Sequence, residues 1–331
     1  MKDVFFVYRK SGLNYSIEHV FNTVESGLRK ENVLVKNIFL PYARVCVSNL
    51  LRNILYVKRL CNSITHLTGD THYAILLCKG KVVLTIHDTR FLDFEHGLKK
   101  MIFKWLWFYL PMRKASYVTC ISNEVREKLI SYFPRFKDKI HIIYNPLDTN
   151  YNYKFKLFNE GCPIILHIGT AENKNLERLI PALKGINCEL HIVGKGVLEE
   201  SLKKKYASCD FVFFDGPKYG DDLLAVYRQN HVLVLPSTYE PWGLVVNEAM
   251  SAGMPVLVSN EVGAHYDLVD GNDTGFVFDA YEEQSLIDAM EQISNMDTYK
   301  KYADNAYNFM HNYWNYSLYR KCLEYFINKT A

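Results

Sequence analysis

Glu240 and Glu248 are the residues whose type and spacing most readily suggest chemistry in this chain. They sit in the string Pro236-Ser237-Thr238-Tyr239-Glu240-Pro241-Trp242-Gly243-Leu244-Val245-Val246-Asn247-Glu248-Ala249-Met250. A carboxylate can accept two hydrogen bonds from vicinal hydroxyls, as on a ribose or a hexose. The string follows an apolar run, Val232–Leu235, and opens a helical pattern that stops at Gly253, with Pro255 starting the next apolar run. A helix start is an anion site, because its first amides lack partners and the helix dipole favours negative charge. Gly243 would let a ligand approach the backbone closely. Glu240 falls in the turn and Glu248 one to two turns inside the helix, so both can point to one site. A capped surface helix with solvated glutamates is the plain alternative; the strands expected before and after the string argue against it.

The elements that must hold this string read as parallel α/β structure, with strand-length apolar runs alternating with helical patterns. In the first half the pattern predicts strands at Val4–Tyr8, Val33–Phe39, Tyr73–Cys78, Val82–His87, Ser116–Ile121 and Ile140–Tyr144, and a helix at Tyr15–Arg29. A polar segment from Asn145 to Gly161 reads as a linker. A second series follows, with strands at Pro163–Ile168, Cys188–Val193, Asp210–Phe214, Val232–Leu235 and Pro255–Val258, and helix from Glu282 onward. The expectation is two Rossmann-like domains, residues 1–150 and 160–312, facing each other across a cleft, with a last helix at about 313–331 packing back on the first. Ligands bind beyond the carboxyl ends of such strands, which places the site at the strand-to-helix turns.

Composition narrows the class. The chain has 331 residues, too many for one typical domain, and no apolar run approaches the roughly 20 residues that span a bilayer. The eight cysteines include no Cys-x-x-Cys pair and read as reduced thiols of a cytosolic protein. Asp221-Asp222 follows Gly220 as expected of acids at a helix start, and no Asp-x-Asp follows a strand, so neither a metal nor another cofactor is expected. Residues 1–160 carry 25 Lys and Arg against 13 Asp and Glu, whereas the remainder carries 14 against 23. The basic half would suit an anionic membrane surface or a phosphorylated acceptor. Nucleic acid is not expected, because no stacking motif interleaves with the cations. The segment Lys99–Leu110 mixes cations with large aromatics, and two readings stay open: a core helix or a membrane-surface element.

The string around the two glutamates resembles the signature of retaining glycosyltransferases of family 4, with the GT-B fold, also described as glycosyl transferases group 1. That resemblance implies that Glu248 binds the donor ribose and that Glu240 contacts hydroxyls of the transferred sugar. It also implies that the backbone amides of Trp242, Gly243 and Leu244 touch sugar and diphosphate. Ile165 to Thr170 with Asn173-Lys174-Asn175-Leu176 resembles the family's phosphate-binding turn, which brings in Gly169 and Thr170 and gives Lys174 the diphosphate. Thr170 and Ala171 stand where many members carry an arginine. Leu190 to Gly196 resembles the next strand and its glycine turn, in which Lys195 reads as a surface residue. Ser11-Gly12-Leu13-Asn14 resembles the glycine loop over the β-phosphate, and Thr85-Ile86-His87-Asp88 the element whose histidine contacts the sugar.

By the same resemblance the chain would move a hexosyl group from a nucleoside diphosphate sugar to an acceptor hydroxyl, with no metal. The acceptor would be a saccharide or lipid-linked saccharide of bacterial surface polysaccharide assembly, at the cytoplasmic membrane face. A nucleotide-sugar epimerase of the same fold and a catalytically weak nucleotide-sugar-binding subunit are the rival readings.

Overall fold

Among the described residues, twelve strands of four or five residues (three in one case) arise where β-branched and aromatic residues cluster between turns, and all of them pair in parallel. The computed structural model describes residues 4–10, 15–60, 64–147, 156–157 and 162–330. The chain divides into two units, Met1–Asp148 with Ser317–Ala331, and Thr149–Tyr316.

The first unit holds β1 (Val4–Tyr8), β2 (Val35–Phe39), β3 (Ile64–Leu67), β4 (Val82–Ile86), β5 (Tyr117–Cys120) and β6 (Ile140–Ile142), in the order β2-β1-β3-β4-β5-β6. The second holds β7 (Ile164–Ile168), β8 (Glu189–Val193), β9 (Val212–Gly216), β10 (Val232–Leu235), β11 (Val256–Ser259) and β12 (Gly275–Phe278), in the order β12-β11-β10-β7-β8-β9. Central strands such as β4 and β10 are buried along their whole length, as expected of parallel sheets covered on both faces.

One expected strand is corrected. Tyr73–Cys78 is not a strand: His72–Ile75 forms a buried 3-10 turn, and the third strand is β3, Ile64–Leu67. A short apolar run has no periodicity to distinguish strand from buried turn, and Thr65 and His66 hide the true strand by their polarity. Both are buried nonetheless; His66 Nε2 lies 2.6 Å from Thr85 Oγ1, which in turn lies 2.8 Å from Thr119 Oγ1. The helix Val47–Leu60 and strand β12 are further elements that the sequence pattern did not predict. Most of the expected linker, Asn145 to Gly161, lies outside the described residues.

The Lys99–Leu110 segment belongs to a helical stretch over residues 97–114, with Phe103–Tyr109 wound as a π-helix. Phe103, Trp107 and Phe108 face the core, while Leu98, Met101, Ile102 and Trp105 are exposed.

Candidate functional site

In the second sheet the chain runs from β7 through β8 to β9, then resumes on the other side of β7 with β10. Strand order therefore reverses between β7 and β10, the position at which open α/β sheets bind ligands beyond their carboxyl ends. Lys174 and Glu240 meet at that position. Lys174 ends a single 3-10 turn, Glu172–Lys174, after β7, and its Nζ lies 2.5 Å from Glu240 Oε2. Both side chains are mostly buried, at 16% and 21% exposure, yet each keeps a face toward solvent.

The backbone under this pair is held by side chains whose role the sequence alone does not reveal. Asn173 donates to the Tyr239 carbonyl at 2.9 Å, and the Thr238 amide donates back to the Asn173 carbonyl at 2.9 Å. Asn175, in the left-handed region at φ 55°, donates from Nδ2 to the carbonyls of Pro236 and Ala280, both at 3.1 Å. These bonds tie the Lys174 turn to the Glu240 loop. Glu240 itself bridges Val262: its amide donates to Glu261 O at 3.0 Å, and its carbonyl accepts from the Gly263 amide at 2.8 Å.

Beyond Glu240 the chain turns through Gly243, at φ 91°, into the helix Leu244–Ser251. A β-carbon on Gly243 would stand 3.1 Å from Leu235 and 3.3 Å from Glu240 Cγ, so glycine meets both the conformation and the space. The Trp242 ring points inward, donates from Nε1 to Asn247 Oδ1 at 2.8 Å and stacks on Trp314. Only its backbone is thus placed to meet a ligand. Glu248 is half-buried inside the helix and accepts a 2.5 Å hydrogen bond from the hydroxyl of Tyr227, a fully buried residue of the helix Gly220–Gln229. Burial raises the Glu248 carboxyl above its usual value, and the Tyr227 bond opposes that rise by favouring the charged form.

The turn after β7 is also packed from beneath. Gly169, at φ 94°, carries the Lys174 stem against its α-carbon: a β-carbon there would stand 3.4 Å from Lys174 Cε. Gly194 and Gly196, which read in sequence as a simple tight turn, set this height. A β-carbon on Gly194 would stand 3.2 Å from Gly169 N, and one on Gly196 only 2.4 Å from the Thr170 carbonyl carbon. Thr170 Oγ1 and Ser237 Oγ, at the ends of β7 and β10, are buried and bond to no protein atom.

The first sheet has its own reversal, between β1 and β3. A cavity of about 460 Å³ opens there, lined by Arg9, Asp70, His72, His87, Arg90 and Phe94 among others. Arg9 Nη1 lies 3.4 Å from Asp70 Oδ2. His87, half-buried at the end of β4, donates from Nε2 to the Thr68 carbonyl at 2.7 Å, which leaves Nδ1 as the acceptor. Burial lowers its pKa below the usual imidazole value, which favours the neutral ring. Gly12 lies outside the described residues. The structure thus groups Lys174, Glu240, Gly169, Thr170, Trp242, Gly243 and Leu244 on the second unit with Glu248 in the same helix, and puts His87 on the first. Among the described residues, no three His, Cys, Asp or Glu side chains are placed to share a metal ion.

Residues 150–309 match the family model of glycosyl transferases group 1, and residues 36–151 match that of glycosyltransferase family 4. The chain belongs to glycosyltransferase family 4. The uncharacterized glycosyltransferase MJ1607 of Methanocaldococcus jannaschii is 32% identical over 47% of this chain and 45% of its own length. RfbU of Salmonella typhimurium, an O-antigen chain mannosyltransferase, is 25% identical over 69% of this chain and 65% of its own. The chain thus spans about half to two thirds of these curated relatives. The crystal structure of Anabaena HepE in complex with UDP-glucose superposes with a TM-score of 0.78, at 17% identity, over 99% of this chain and all of that one. Two six-stranded parallel sheets in this order are the GT-B fold.

Proposed function

We propose that this family member transfers a hexosyl group from a nucleoside diphosphate sugar to an acceptor hydroxyl with retention of anomeric configuration. The observation that carries the reading is the Lys174–Glu240 pair at the β7/β10 reversal; a cation suited to a diphosphate stands beside a carboxylate suited to sugar hydroxyls. In the proposed reaction the bond from the anomeric carbon to the diphosphate oxygen breaks and a bond to the acceptor oxygen forms on the same face. A donor phosphate oxygen takes the acceptor proton. Lys174, with the amides of Trp242, Gly243 and Leu244, would stabilise the charge growing on the leaving diphosphate, and preorganised stabilisation of this kind is the chief source of rate in such catalysis. Glu240 would hold the transferred sugar, Glu248 the ribose, and Gly169 and Thr170 the floor beneath the phosphates. His87 would accept a hydrogen bond from a sugar hydroxyl at Nδ1, and Gly12 would cover the β-phosphate. No metal is invoked. The HepE complex supports a nucleotide-sugar donor, and RfbU supports a saccharide acceptor of surface-polysaccharide assembly, which we place on a lipid carrier at the cytoplasmic membrane face.

Thermal-shift screening with UDP, GDP and ADP sugars should single out one donor, since a bound ligand raises stability by mass action. With that donor and a lipid-linked saccharide, the product should keep the donor's anomeric configuration, and turnover should survive a chelator. Lys174→Ala should cut kcat about 100-fold, the usual cost of removing one preorganised stabilising group. Stabilisation by none of the three donor classes would overturn the proposal.

A further inference from the structure

We infer that the first unit docks on anionic lipid through two neighbouring helical faces, the helix Val47–Leu60 and the exposed side of residues 97–105. The inference deepens the proposed function by naming a surface. It does not depend on transfer, because lipid binding is read without a donor.

Two observations carry it. The first is apolar exposure: of the 21 large apolar side chains exposed among the described residues, 15 lie between Leu34 and Trp105. They are arranged rather than scattered. Val47, Leu51 and Leu55 recur every four residues along one exposed edge of the first helix, whose buried side carries Asn53, Ile54 and Val57. Leu98, Met101, Ile102 and Trp105, spaced by three and four, form a second stripe. The two helices are neighbours: Asn53 donates to the Tyr73 hydroxyl at 2.9 Å, and the Tyr73 ring meets Trp107 at 4.8 Å. Leu77, just past that shared turn, is exposed as well. Exposed apolar stripes of this extent mark interaction surfaces.

The second observation is charge. Between Glu31 and Asp70 the chain has five cations (Lys36, Arg44, Arg52, Lys58 and Arg59) and no acid. Between Glu95 and Glu124 it has five more, again with no acid. Lys58, Arg52 and Arg59 flank the Val47–Leu51–Leu55 stripe, whereas Lys99 pairs with Glu95 at the foot of the second. Apolar stripes edged mainly by cations complement an anionic bilayer, into whose interface such helices settle side-on. No helix among the described residues is long and apolar enough to cross a membrane, which leaves the side-on mode. Phe94 is both exposed and part of the cavity wall at Arg9 and His87, so that cavity opens beside the proposed docking face.

The full chain should cosediment with vesicles of phosphatidylcholine doped with phosphatidylglycerol, bind phosphatidylcholine alone far less, and be released by salt, which screens the attraction. Arg52→Glu with Arg59→Glu, Leu51→Ser with Leu55→Ser, and Leu98→Ser with Trp105→Ser should each lower partitioning at least about tenfold; each lost cation alone is worth about fivefold. All six positions are exposed, so melting temperatures should hold and show that the variants fold. Trp107, Trp242 and Trp314 are buried and Trp105 is half exposed, so a blue shift of tryptophan emission on vesicles should vanish in Trp105→Phe. Equal binding to neutral vesicles, no binding, or a parental response from either helix's variants would overturn the inference. So would a self-association or RNA binding that the same substitutions abolish, since a second copy or a nucleic acid would then own the face.

Discussion

Glu240→Gln should move the affinities for donor and for its bare diphosphate in opposite directions. Lys174 Nζ lies 2.5 Å from Glu240 Oε2, so a diphosphate bound there as proposed would share the ammonium with a carboxylate that repels it. Both side chains keep some exposure, 16% and 21%, which places the pair near the upper end of the solvent-screened range, at about 1 kcal/mol. Replacing the carboxylate by an amide frees that interaction, so the bare nucleoside diphosphate should bind about fivefold tighter, at 1.4 kcal/mol per tenfold. The intact sugar nucleotide gains the same freed lysine but loses hydrogen bonds from sugar hydroxyls to a charged acceptor, worth about 1.5–3 kcal/mol. It should therefore bind roughly 2- to 30-fold weaker, and kcat should fall. Isothermal titration of parent and variant with both ligands reads the crossing directly. If the diphosphate binds no tighter to Glu240→Gln, Lys174 and the diphosphate do not meet, and the role given to the pair is wrong.

Three other outcomes follow from the same geometry. Tyr227→Phe removes the bond that favours the ionised form of Glu248, so donor KM should rise about tenfold with kcat little changed, and the acid limb of donor binding should move to higher pH. Gly196→Ala would drive a β-carbon into the Thr170 carbonyl at 2.4 Å, so the turn must shift; a loss of about 1–3 kcal/mol in chemical denaturation should come with loss of donor binding, whereas Gly185→Ala, strained by φ 97° but with open space around it, should lose stability and spare the donor. His66, His72, His167 and His231 are buried, with pKa values lowered by burial to about 3, 4, 4 and 4. Their neutral forms are favoured in the fold, so the unfolded chain binds more protons below its pKa of 6.5; stability is full above that value and should fall by roughly 1 kcal/mol per histidine for each pH unit down toward 4, as denaturation at stepped pH would show.

The parts that could be read in the sequence were those with local causes. Val232–Leu235 announces a strand by its apolar run and Gly243 a turn by its missing side chain, so the Glu240–Glu248 string landed on the elements expected for it. The failures share one origin, contact between residues distant in sequence. Nothing near Tyr227 marks it as the partner of Glu248, 21 residues away, and nothing near Gly196 shows that it packs under Thr170. Asn173 and Asn175 were visible as part of a motif, but their bonds reach residues more than 60 positions on. Ile64–Leu67 was missed because the Thr85 hydroxyl satisfies buried His66, a polarity that looks like surface until its partner is placed.

Ser317–Ala331 belong with residues 1–148, so the second unit is an excursion inside the first. A ribosome therefore delivers the whole second unit before the first has received its closing helix, although domains otherwise fold in the order they emerge. Until then Phe21, His66 and Thr119 lack the cover of Cys322 and Tyr325, and the ring of Tyr117 lacks that of Tyr325. The first unit thus stays unfinished while residues 149–316 are being made. The same order offers a tool: a chain cut after Tyr316 keeps every residue of the second unit, and the final helix supplied as a separate peptide becomes a switch for completing the first.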